Sequence, residues 1–262
     1  MNDSAIRVDG LKKSYKNVVA LDKLTFSVEK GSCFGLVGPN GAGKTTTINI
    51  LSGVARPDYG YVEMLGGMMH TDNVLLKQRI GVLSETLDLF EQLKCEEFLF
   101  FVGRVYSLDY DEIKERVSSL LHALDLYSER HRFLHEYSLG MRKKTAFAAA
   151  VIHRPDILLL DEPFESIDPV STSTIRNIIK SIQGRGGTLI ITSHNLDAIE
   201  KLCDNVAIVN KGRLVFQSKT EDIRKKIKNE MNQETYQSLE EIFIDVVSED
   251  SEQKEKKKLS WL

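Results

Sequence analysis

The sequence predicts an α/β fold with a mainly parallel core sheet, an antiparallel β subdomain at the N-terminus and a helical insertion. Residues 5–30 alternate apolar and polar positions, as in AIRVDGLKKSY and LTFSVEKG, which predicts short antiparallel strands broken at turns. Continuous apolar runs in SCFGLVG, DILLLD and TLIITS are typical of parallel strands covered on both faces. From about Glu85 to Val151 the apolar spacing is helical, and no strand-like alternation interrupts it.

Each element of this fold has its own sequence signal. The strand SCFGLVG precedes the helix GKTTTINILS, which Gly53 can cap. The helix VSTSTIRNIIKSIQ separates the other two buried strands, and NVAIVNKGRLVFQ predicts a hairpin that turns at Lys211 and Gly212. Amphipathic helices are predicted in TEDIRKKIK and SLEEIFIDVV. We expect one domain over residues 1–217, with residues 85–151 inserted in its core, and a C-terminal helical extension and flexible tail over residues 218–262.

Composition narrows the classes of function. The chain has 262 residues, of which 42% are hydrophobic, enough for a sizeable core. Its net charge of -3 gives no overall field that favours DNA or RNA, so we expect no nucleic-acid partner. Cys33, Cys95 and Cys203 are far apart in the sequence, which argues against a disulfide framework or a zinc site and fits a reducing compartment. Without a signal-peptide core or a long apolar run, we expect neither secretion by such a peptide nor a membrane span.

The stretch LVGPNGAGKTTTINILSG contains the pattern G-x-x-x-x-G-K-[ST] at residues 38–45, with a predicted strand before it and a predicted helix after it. Its glycines let backbone N–H groups surround phosphate oxygens, and the helix N-terminus adds partial positive charge. We expect Lys44 to reach the β- and γ-phosphates and the Thr45 hydroxyl to bind Mg²⁺. The expected nucleotide-binding residues of this loop are Gly38, Pro39, Asn40, Gly41, Ala42, Gly43, Lys44, Thr45 and Thr46.

Two other kinds of nucleotide site do not fit this loop. A dinucleotide fingerprint needs the spacing G-x-G-x-x-G, which Gly38, Gly41 and Gly43 do not have. A GTPase should carry the guanine-reading motif N-K-x-D late in the chain. The late NK of this core is followed by glycine and then Arg213, not aspartate. Adenine is therefore the expected base, and ATP the expected nucleotide.

Two adjacent acids end the buried strand in ILLLDEP, residues 157–163. Ligands collect at the carboxyl edge of a parallel sheet, where Asp161 can orient a water on Mg²⁺. Glu162 can polarise the attacking water as a general base. Acids before a proline turn are also common at solvated strand ends, and the phosphate loop earlier in the chain is what favours the catalytic interpretation.

Over about residues 5–217 the chain resembles the ATP-binding subunit of an ABC transporter. YSLGMRKK, residues 137–144, is similar to the signature sequence of that family, and we call it the signature segment. Ser138 and the Gly140 backbone are expected ahead of a helix that begins near Met141, where they form a second anion site. The resemblance implies that this site faces the γ-phosphate held by the opposite subunit, so that two ATP molecules lie between two subunits.

The resemblance assigns roles to three further residues. ESIDP, residues 165–169, occupies the place of the family's D-loop and puts Asp168 at the dimer seam. His194 follows the TLIIT strand, where the resemblance makes it the switch histidine that contacts the γ-phosphate. Tyr15 lies 23 residues before Gly38 and matches the aromatic residue that stacks on adenine in the family.

The sequence departs from the family pattern in three places. Leu139 replaces the first of the two glycines usual in the signature. Glu85 stands at the place of the Q-loop glutamine, and its carboxylate can still bind Mg²⁺ as a hard oxygen donor. The D-loop opens with Glu165 and carries Ile167 in place of the more usual residues, which leaves the packing at the seam open.

The function implied by the resemblance is ATP hydrolysis that powers translocation by an ABC transporter of export type. Its implied partners are transmembrane permease subunits and a second ATPase subunit, identical or different. Its implied location is the cytoplasmic face of the cell membrane, with membrane contact mainly through the permease. Two other functions stay open: a soluble ABC ATPase that acts on nucleic acid or ribosomes, and a catalytically weak regulatory subunit.

Two segments are candidates for contacts outside the nucleotide site. The segment after Glu85 is rich in large apolar residues, which either pack the helical insertion or contact a partner helix; they are Leu89, Phe90, Leu93 and Phe98. The end of the chain, KEKKKLSWL, is either a solvated tail or a contact for an anionic membrane surface.

Overall fold

The computed structural model describes residues 4–87, 89–222 and 239–249, and within them it has two sheets. The smaller sheet is antiparallel with the order β2-β1-β4-β5. Its strands are β1 (Ser4–Tyr15), β2 (Val18–Glu29), β4 (Tyr59–Met64) and β5 (Gly67–Met68). The larger sheet has the order β10-β9-β3-β8-β7-β6. Its strands are β3 (Cys33–Val37), β6 (Ile80–Leu83), β7 (Ile157–Asp161), β8 (Thr188–Thr192), β9 (Asn205–Asn210) and β10 (Arg213–Lys219).

The antiparallel N-terminal region is confirmed, but the expectation of short strands is wrong. β1 and β2 each run for 12 residues and form one long hairpin that closes with Tyr15 opposite Val18. Gly10, whose φ is +59°, lies at a shift of register within β1 and does not end the strand. Its N–H donates to the Thr25 hydroxyl at 2.9 Å. A glycine at a bulge bends a strand without ending it, so Ser4–Tyr15 stays one strand.

The larger sheet is parallel from β9 to β6, and only β10 runs antiparallel to its neighbour. All five residues of β3, β7 and β8 are buried, which explains why their sequences are continuously apolar. The hairpin of β9 and β10 turns at Lys211 and Gly212, both with positive φ, as predicted. Because β3, β6, β7 and β8 all run in one direction, the segments after Val37, Leu83, Asp161 and Thr192 leave the sheet at the same edge.

Eight α-helices occur in the described residues: α1 (Lys44–Leu51), α2 (Val74–Lys77), α3 (Cys95–Val105), α4 (Tyr110–Ala123), α5 (Leu139–Val151), α6 (Pro169–Gly184), α7 (Leu196–Leu202) and α8 (Leu239–Glu249). The predicted helix after the phosphate loop is α1, and Gly53 follows it with a φ of +69°. The described residues between β6 and β7 form helices and turns, and their strand-like pairing is limited to one isolated bridge between Lys94 and Phe133. The predicted helical insertion is therefore confirmed.

The larger sheet has a separate hydrophobic core on each face. Leu158 and Leu160 of β7 face the core that they share with α3, α4, α5 and α6. Ile157 and Leu159 point to the opposite face, where α1 and the antiparallel sheet cover them. Phe34 of β3 stacks on Phe26 of β2 on this second side, with ring centroids 5.3 Å apart. Cores on both faces fix the position of each strand end, and therefore of the loops that follow.

The C-terminal part of the chain contributes one packed helix. SLEEIFIDVV was predicted to be helical, and α8 confirms it, with Leu239 and Ile242 buried in the core shared with α7. Strand β10 ends at Lys219, two residues beyond the predicted boundary at residue 217. The division into domains stays a prediction. Most of TEDIRKKIK and all of KEKKKLSWL lie outside the described residues, and none of the described helices is long and apolar enough to cross a membrane.

Replacing Ile190 with alanine should lower the free energy of unfolding by about 2–5 kcal/mol, because the cavity lies in the middle of a two-sided sheet. Ile190 is central in β8 and fully buried. Urea denaturation measures the loss. The control is Val54→Ala, at a side chain that is 73% exposed, with an expected change within about 0.5 kcal/mol. Similar losses for both variants would contradict this description of the core.

Candidate functional site

The phosphate loop connects β3 to α1 and is held by close backbone contacts. A Cβ on Gly38 would lie 2.3 Å from the Val209 carbonyl oxygen. Gly43 has a φ of +107°, and a Cβ there would lie 2.6 Å from the Ala20 carbonyl oxygen. The loop is therefore fitted between β9 and β2, and only glycine allows this approach at the two positions.

Lys44 is folded into this loop. Its side chain is buried, and Nζ donates to the carbonyl oxygens of Gly38 at 2.8 Å and Pro39 at 3.3 Å. A buried ammonium group needs such acceptors, because desolvation without hydrogen bonds is costly. The loop thus carries a positive charge at its centre, as the motif predicts for a site that binds phosphate.

A cavity of about 340 Å³ lies in front of the loop. Its walls bring together the loop, three acids from other parts of the chain and the start of β2. The lining residues are Val18, Ala20, Asn40, Gly41, Ala42, Gly43, Lys44, Thr45, Thr46, Glu85, Asp161 and Glu162. Among the predicted site residues in the described part of the chain, the cavity wall does not include Tyr15, Gly38, Pro39, Ser138, Gly140, Asp168 or His194.

Three oxygen-bearing side chains that were predicted to bind Mg²⁺ meet at one side of the cavity. The Thr45 hydroxyl donates to Glu85 Oε2 at 3.0 Å. Asp161 is fully buried; its Oδ1 accepts from Thr192, whereas its Oδ2 has no hydrogen-bond partner among the described residues. Burial raises the pKa of Asp161, and the negative charges of Glu85 and Glu162 raise it further.

A cation fits at this place because it would supply the missing partner of Asp161 Oδ2 and offset the acidic charges. No group of three or more His, Cys, Asp or Glu side chains in the described residues is placed to hold a metal alone. Mg²⁺ commonly binds to one or two carboxylates together with substrate phosphates, and the donors here match that incomplete set.

Glu162 and His194 form a pair at the rim. Glu162 Oε2 lies 2.9 Å from His194 Nδ1 and also accepts from the His194 N–H at 3.3 Å. The backbone of Glu162 has a φ of +49°, and its N–H contacts both oxygens of Thr192 at 3.2 Å. Positive φ at a residue other than glycine is strained and persists only where surrounding contacts hold it. The carboxylate is therefore held in one place, with His194 exposed beside it.

Tyr15 lies at the end of the β1–β2 hairpin, close in the chain to the cavity wall at Val18. Its ring is 46% exposed, and the Lys13 ammonium lies 5.4 Å from the ring centroid. An exposed aromatic face at the mouth of a cavity can stack on a base.

The signature segment lies at the start of α5 and apart from this cavity. The helix begins at Leu139, two residues earlier than expected, because the Ser138 hydroxyl caps it by accepting from the Met141 N–H at 3.3 Å. Leu139 is 58% exposed, so its side chain extends towards solvent and does not disturb the packing of α5. A Cβ on Gly140 would lie 2.6 Å from the Ser166 carbonyl oxygen. The first position of the signature tolerates a side chain in this fold, and the second does not.

Asp168 of the D-loop caps α6. Its carboxylate accepts from the Ser171 N–H at 2.8 Å, and hydrogen bonds from Ser171 lower the pKa of Asp168. It is exposed, as is Ser138, and the D-loop touches the signature segment at Gly140. The structure therefore separates the predicted site into two groups: the cavity with Glu162 and His194, and an exposed surface formed by the signature segment and the D-loop.

Sequence reasoning missed two residues that shape the site. Thr192 holds both Asp161 and the Glu162 backbone; a polar residue at the end of the apolar run TLIIT was the available signal. Lys143 is buried on α5 beside Glu165, and nothing in the spacing of the signature segment indicates that this lysine points inward.

A loop with the pattern G-x-x-x-x-G-K-T at the end of β3, together with a buried Asp–Glu pair at the end of β7, two strands away in the same sheet, defines a class of protein. The chain is a P-loop nucleoside triphosphatase.

Comparison with known proteins narrows this class. Residues 21–165 match the family model described as ABC transporter, which covers more than half of the chain. The chain belongs to this family. It is an ATP-binding subunit of the ABC transporter type, in which ATP hydrolysis is coupled to transport.

One relative and two solved structures illustrate the likeness. The chain is 34% identical to the Nod factor export ATP-binding protein I of Paraburkholderia xenovorans over 82% of this chain and 71% of that protein. It resembles the solved ATP-binding subunit of an ABC transporter, with a TM-score of 0.84 and 27% identity over 93% of this chain and 99% of the other. It also shares its fold with a dimeric ATP-binding cassette bound to ADP and phosphate, with a TM-score of 0.76 and 20% identity over 82% and 98%.

Gly140→Ala should destabilise the protein, because the added methyl group collides with the Ser166 carbonyl. Overpacking costs about 1–3 kcal/mol, and the better helix propensity of alanine offsets up to about 1 kcal/mol of it. Thermal or urea unfolding measures the difference. The matched control is Gly184→Ala in α6, where nothing lies within 4 Å of the new Cβ and a neutral or stabilising effect is expected. If the two variants are equally stable, the close approach at Gly140 is wrong.

Proposed function

We propose that the chain hydrolyses Mg²⁺-ATP as one subunit of an ATPase dimer that drives an ABC exporter. The observation that carries this proposal is the convergence of the phosphate loop, Glu85, Asp161 and Glu162 on one cavity. These groups come from the ends of three parallel strands, and together they supply phosphate binding, cation ligands and a base.

The phosphate loop binds the triphosphate. Backbone N–H groups from Gly38 to Thr46 surround the phosphate oxygens, and Lys44 exchanges its carbonyl partners for the β- and γ-phosphates. Its present bonds to Gly38 and Pro39 keep the ammonium close to the phosphate position. Tyr15 stacks on the adenine ring at the mouth of the cavity.

Thr45, Glu85 and Asp161 hold the cation. When bound there, Mg²⁺ would supply positive charge that offsets the charge of the phosphates. Glu85 and Thr45 are already in contact, and the unpaired Oδ2 of Asp161 is an acceptor for a water on the ion. The replacement of the family's glutamine by Glu85 adds one negative charge to this ligand set and strengthens its hold on the ion.

Glu162 accepts a proton from the attacking water, and His194 contacts the γ-phosphate. The direct Glu162–His194 contact keeps the base oriented before the nucleotide binds. The histidine side chain is 64% exposed and free to turn towards a phosphate. When the site closes, His194 exchanges the Glu162 carboxylate for the γ-phosphate as its hydrogen-bond partner.

Ser138, Gly140 and Asp168 act on the nucleotide of a second subunit. They lie on an exposed surface outside the cavity of their own chain, so a partner is needed to bring them to a γ-phosphate. The dimeric ATP-binding cassette of the same fold supports this arrangement. The exposed position of Leu139 leaves the capped N-terminus of α5 intact, which favours an active subunit over a regulatory one.

The permease subunits contact the helical insertion. Phe90 is 56% exposed and Phe101 46% exposed, and their rings pack edge to face at 5.3 Å, whereas Phe98 is buried beneath them. Such an exposed aromatic group is typical of a protein contact. Through it the subunit is held peripherally at the cytoplasmic face of the cell membrane. Export is supported by the relative that is named for Nod factor export.

Glu162→Gln should abolish turnover while leaving ATP binding intact. Loss of a general base costs about 100- to 10,000-fold in kcat, whereas the amide keeps the size of the side chain. Phosphate release measures the turnover, a fluorescent ATP analogue measures the affinity, and size exclusion with ATP should show a trapped dimer. Glu115→Gln on the exposed side of α4 is the matched control and should behave as the wild type. Brisk hydrolysis by Glu162→Gln would refute the assignment of the base.

Glu85→Gln should raise the Mg²⁺ concentration needed for half-maximal hydrolysis by about tenfold, because loss of one charge at ligand distance weakens binding by about 1.4 kcal/mol. Titration of Mg²⁺ at saturating ATP measures this shift, and excess Mg²⁺ should restore the rate. Thr86→Ala, at the next residue, serves as the control. An unchanged Mg²⁺ dependence would remove Glu85 from the ligand set.

A further inference from the structure

We propose that Lys143 and Glu165 form a positioning pair that ties the signature segment to the D-loop and, through the D-loop, to Glu162. The proposal rests on the proposed function, since it concerns how the surface that meets the second subunit is coupled to this subunit's own base. Neither residue touches the cavity described above.

Lys143 is a buried cation with one carboxylate beside it. Its side chain is 4% exposed, and Nζ lies 3.4 Å from Glu165 Oε2, which belongs to a half-exposed side chain. A lysine in this position requires an anionic partner, because burial of an unpaired ammonium is costly. The charge of Lys143 therefore holds the first residue of the D-loop against α5.

Two more contacts join the same two segments. The buried Lys144 donates to the Ser171 hydroxyl at 3.3 Å, just beyond the D-loop. Gly140 packs against the Ser166 carbonyl, and Ser166 itself has a φ of +61°. Contacts with α5 thus hold the D-loop in a strained conformation. The first residue of the D-loop to make such a contact is Glu165, through its pair with Lys143.

The D-loop is also connected to the base. The Glu165 N–H donates to the Glu162 carbonyl oxygen at 3.3 Å, so one turn of backbone separates the lysine's partner from the catalytic glutamate. Glu162 already has a strained backbone that neighbouring contacts must hold. A shift of α5 when Ser138 meets the second nucleotide is therefore passed to Glu162 through Lys143 and Glu165.

The same pair explains one departure from the family pattern. Glu165 opens the D-loop where another residue is usual, and in this chain it stands beside the buried ammonium of Lys143. The two charges need each other: glutamate at this position without the lysine would lose its partner, and the lysine without the glutamate would be buried alone.

Three variants in the full chain separate positioning from simple stability. Glu165→Gln removes the carboxylate charge and should lower kcat by about tenfold or more, because small misplacements of a reacting group cost up to about 100-fold. Glu165→Gln alone leaves the buried ammonium of Lys143 without its anionic partner and should also lower the melting temperature. The double variant Lys143→Met with Glu165→Gln leaves no buried charge unpaired. Its melting temperature should therefore return to the wild-type value, while kcat stays low. Lys143→Arg keeps the charge and should retain most of kcat. The control is Asp156→Asn, which breaks a half-exposed pair with Arg79 at the opposite edge of the sheet.

The measurements are kcat and KM for ATP, affinity of the monomer for a fluorescent ATP analogue, and the melting temperature. Because neither residue lines the cavity, the affinity of the monomer for the analogue should stay within about threefold of the wild type in all variants. A threefold change in affinity corresponds to about 0.7 kcal/mol. Wild-type kcat in Glu165→Gln or in the double variant would overturn the proposal, as would a loss of monomer affinity that matches the loss of kcat. A wild-type chain that neither hydrolyses ATP nor dimerises would instead refute the proposed function.

Discussion

Parallel pairing of β3, β8, β7 and β6 is the constraint on which the site depends. Each strand is buried on both faces, so its register is fixed by two cores at once. Because the strands run in one direction, the phosphate loop, Glu85, Asp161 and His194 leave the sheet at one edge although they are separated by up to 156 residues. The chemistry is therefore assembled by sheet topology, and local sequence only selects which side chain stands at each strand end.

Much of the fold and the cavity was predictable, because short-range patterns determine them. Continuous apolar runs identify β3, β7 and β8, and the glycine spacing identifies the loop from Gly38 to Thr45. The length of β1 was not predictable, because Gly10 can end a strand or form a bulge, and only pairing with both β2 and β4 decides between them. The inward direction of Lys143 was equally hidden, since it depends on the packing of α5 against the D-loop.

The signature segment shows why a family pattern needs a structural interpretation. Two glycines are usual there, but the structure places only Gly140 against a backbone carbonyl, while Leu139 points to solvent. The anion site that we propose here would need a capped helix start and N–H groups that face a ligand, and Ser138 supplies the cap. The leucine thus changes the exposed surface of the signature segment without removing the capped start of α5, which is the feature that the proposed anion site needs.

Two carbonyl oxygens of the phosphate loop satisfy the Lys44 ammonium within the protein itself. The ammonium group is buried and donates to two neutral acceptors, the carbonyl oxygens of Gly38 at 2.8 Å and of Pro39 at 3.3 Å. In the function we propose, a triphosphate would exchange these neutral acceptors for charged ones, and the net gain would be the difference between the two kinds of bond. The same exchange in reverse would ease departure of the cleaved product, because the Lys44 ammonium would regain its carbonyl partners in the loop.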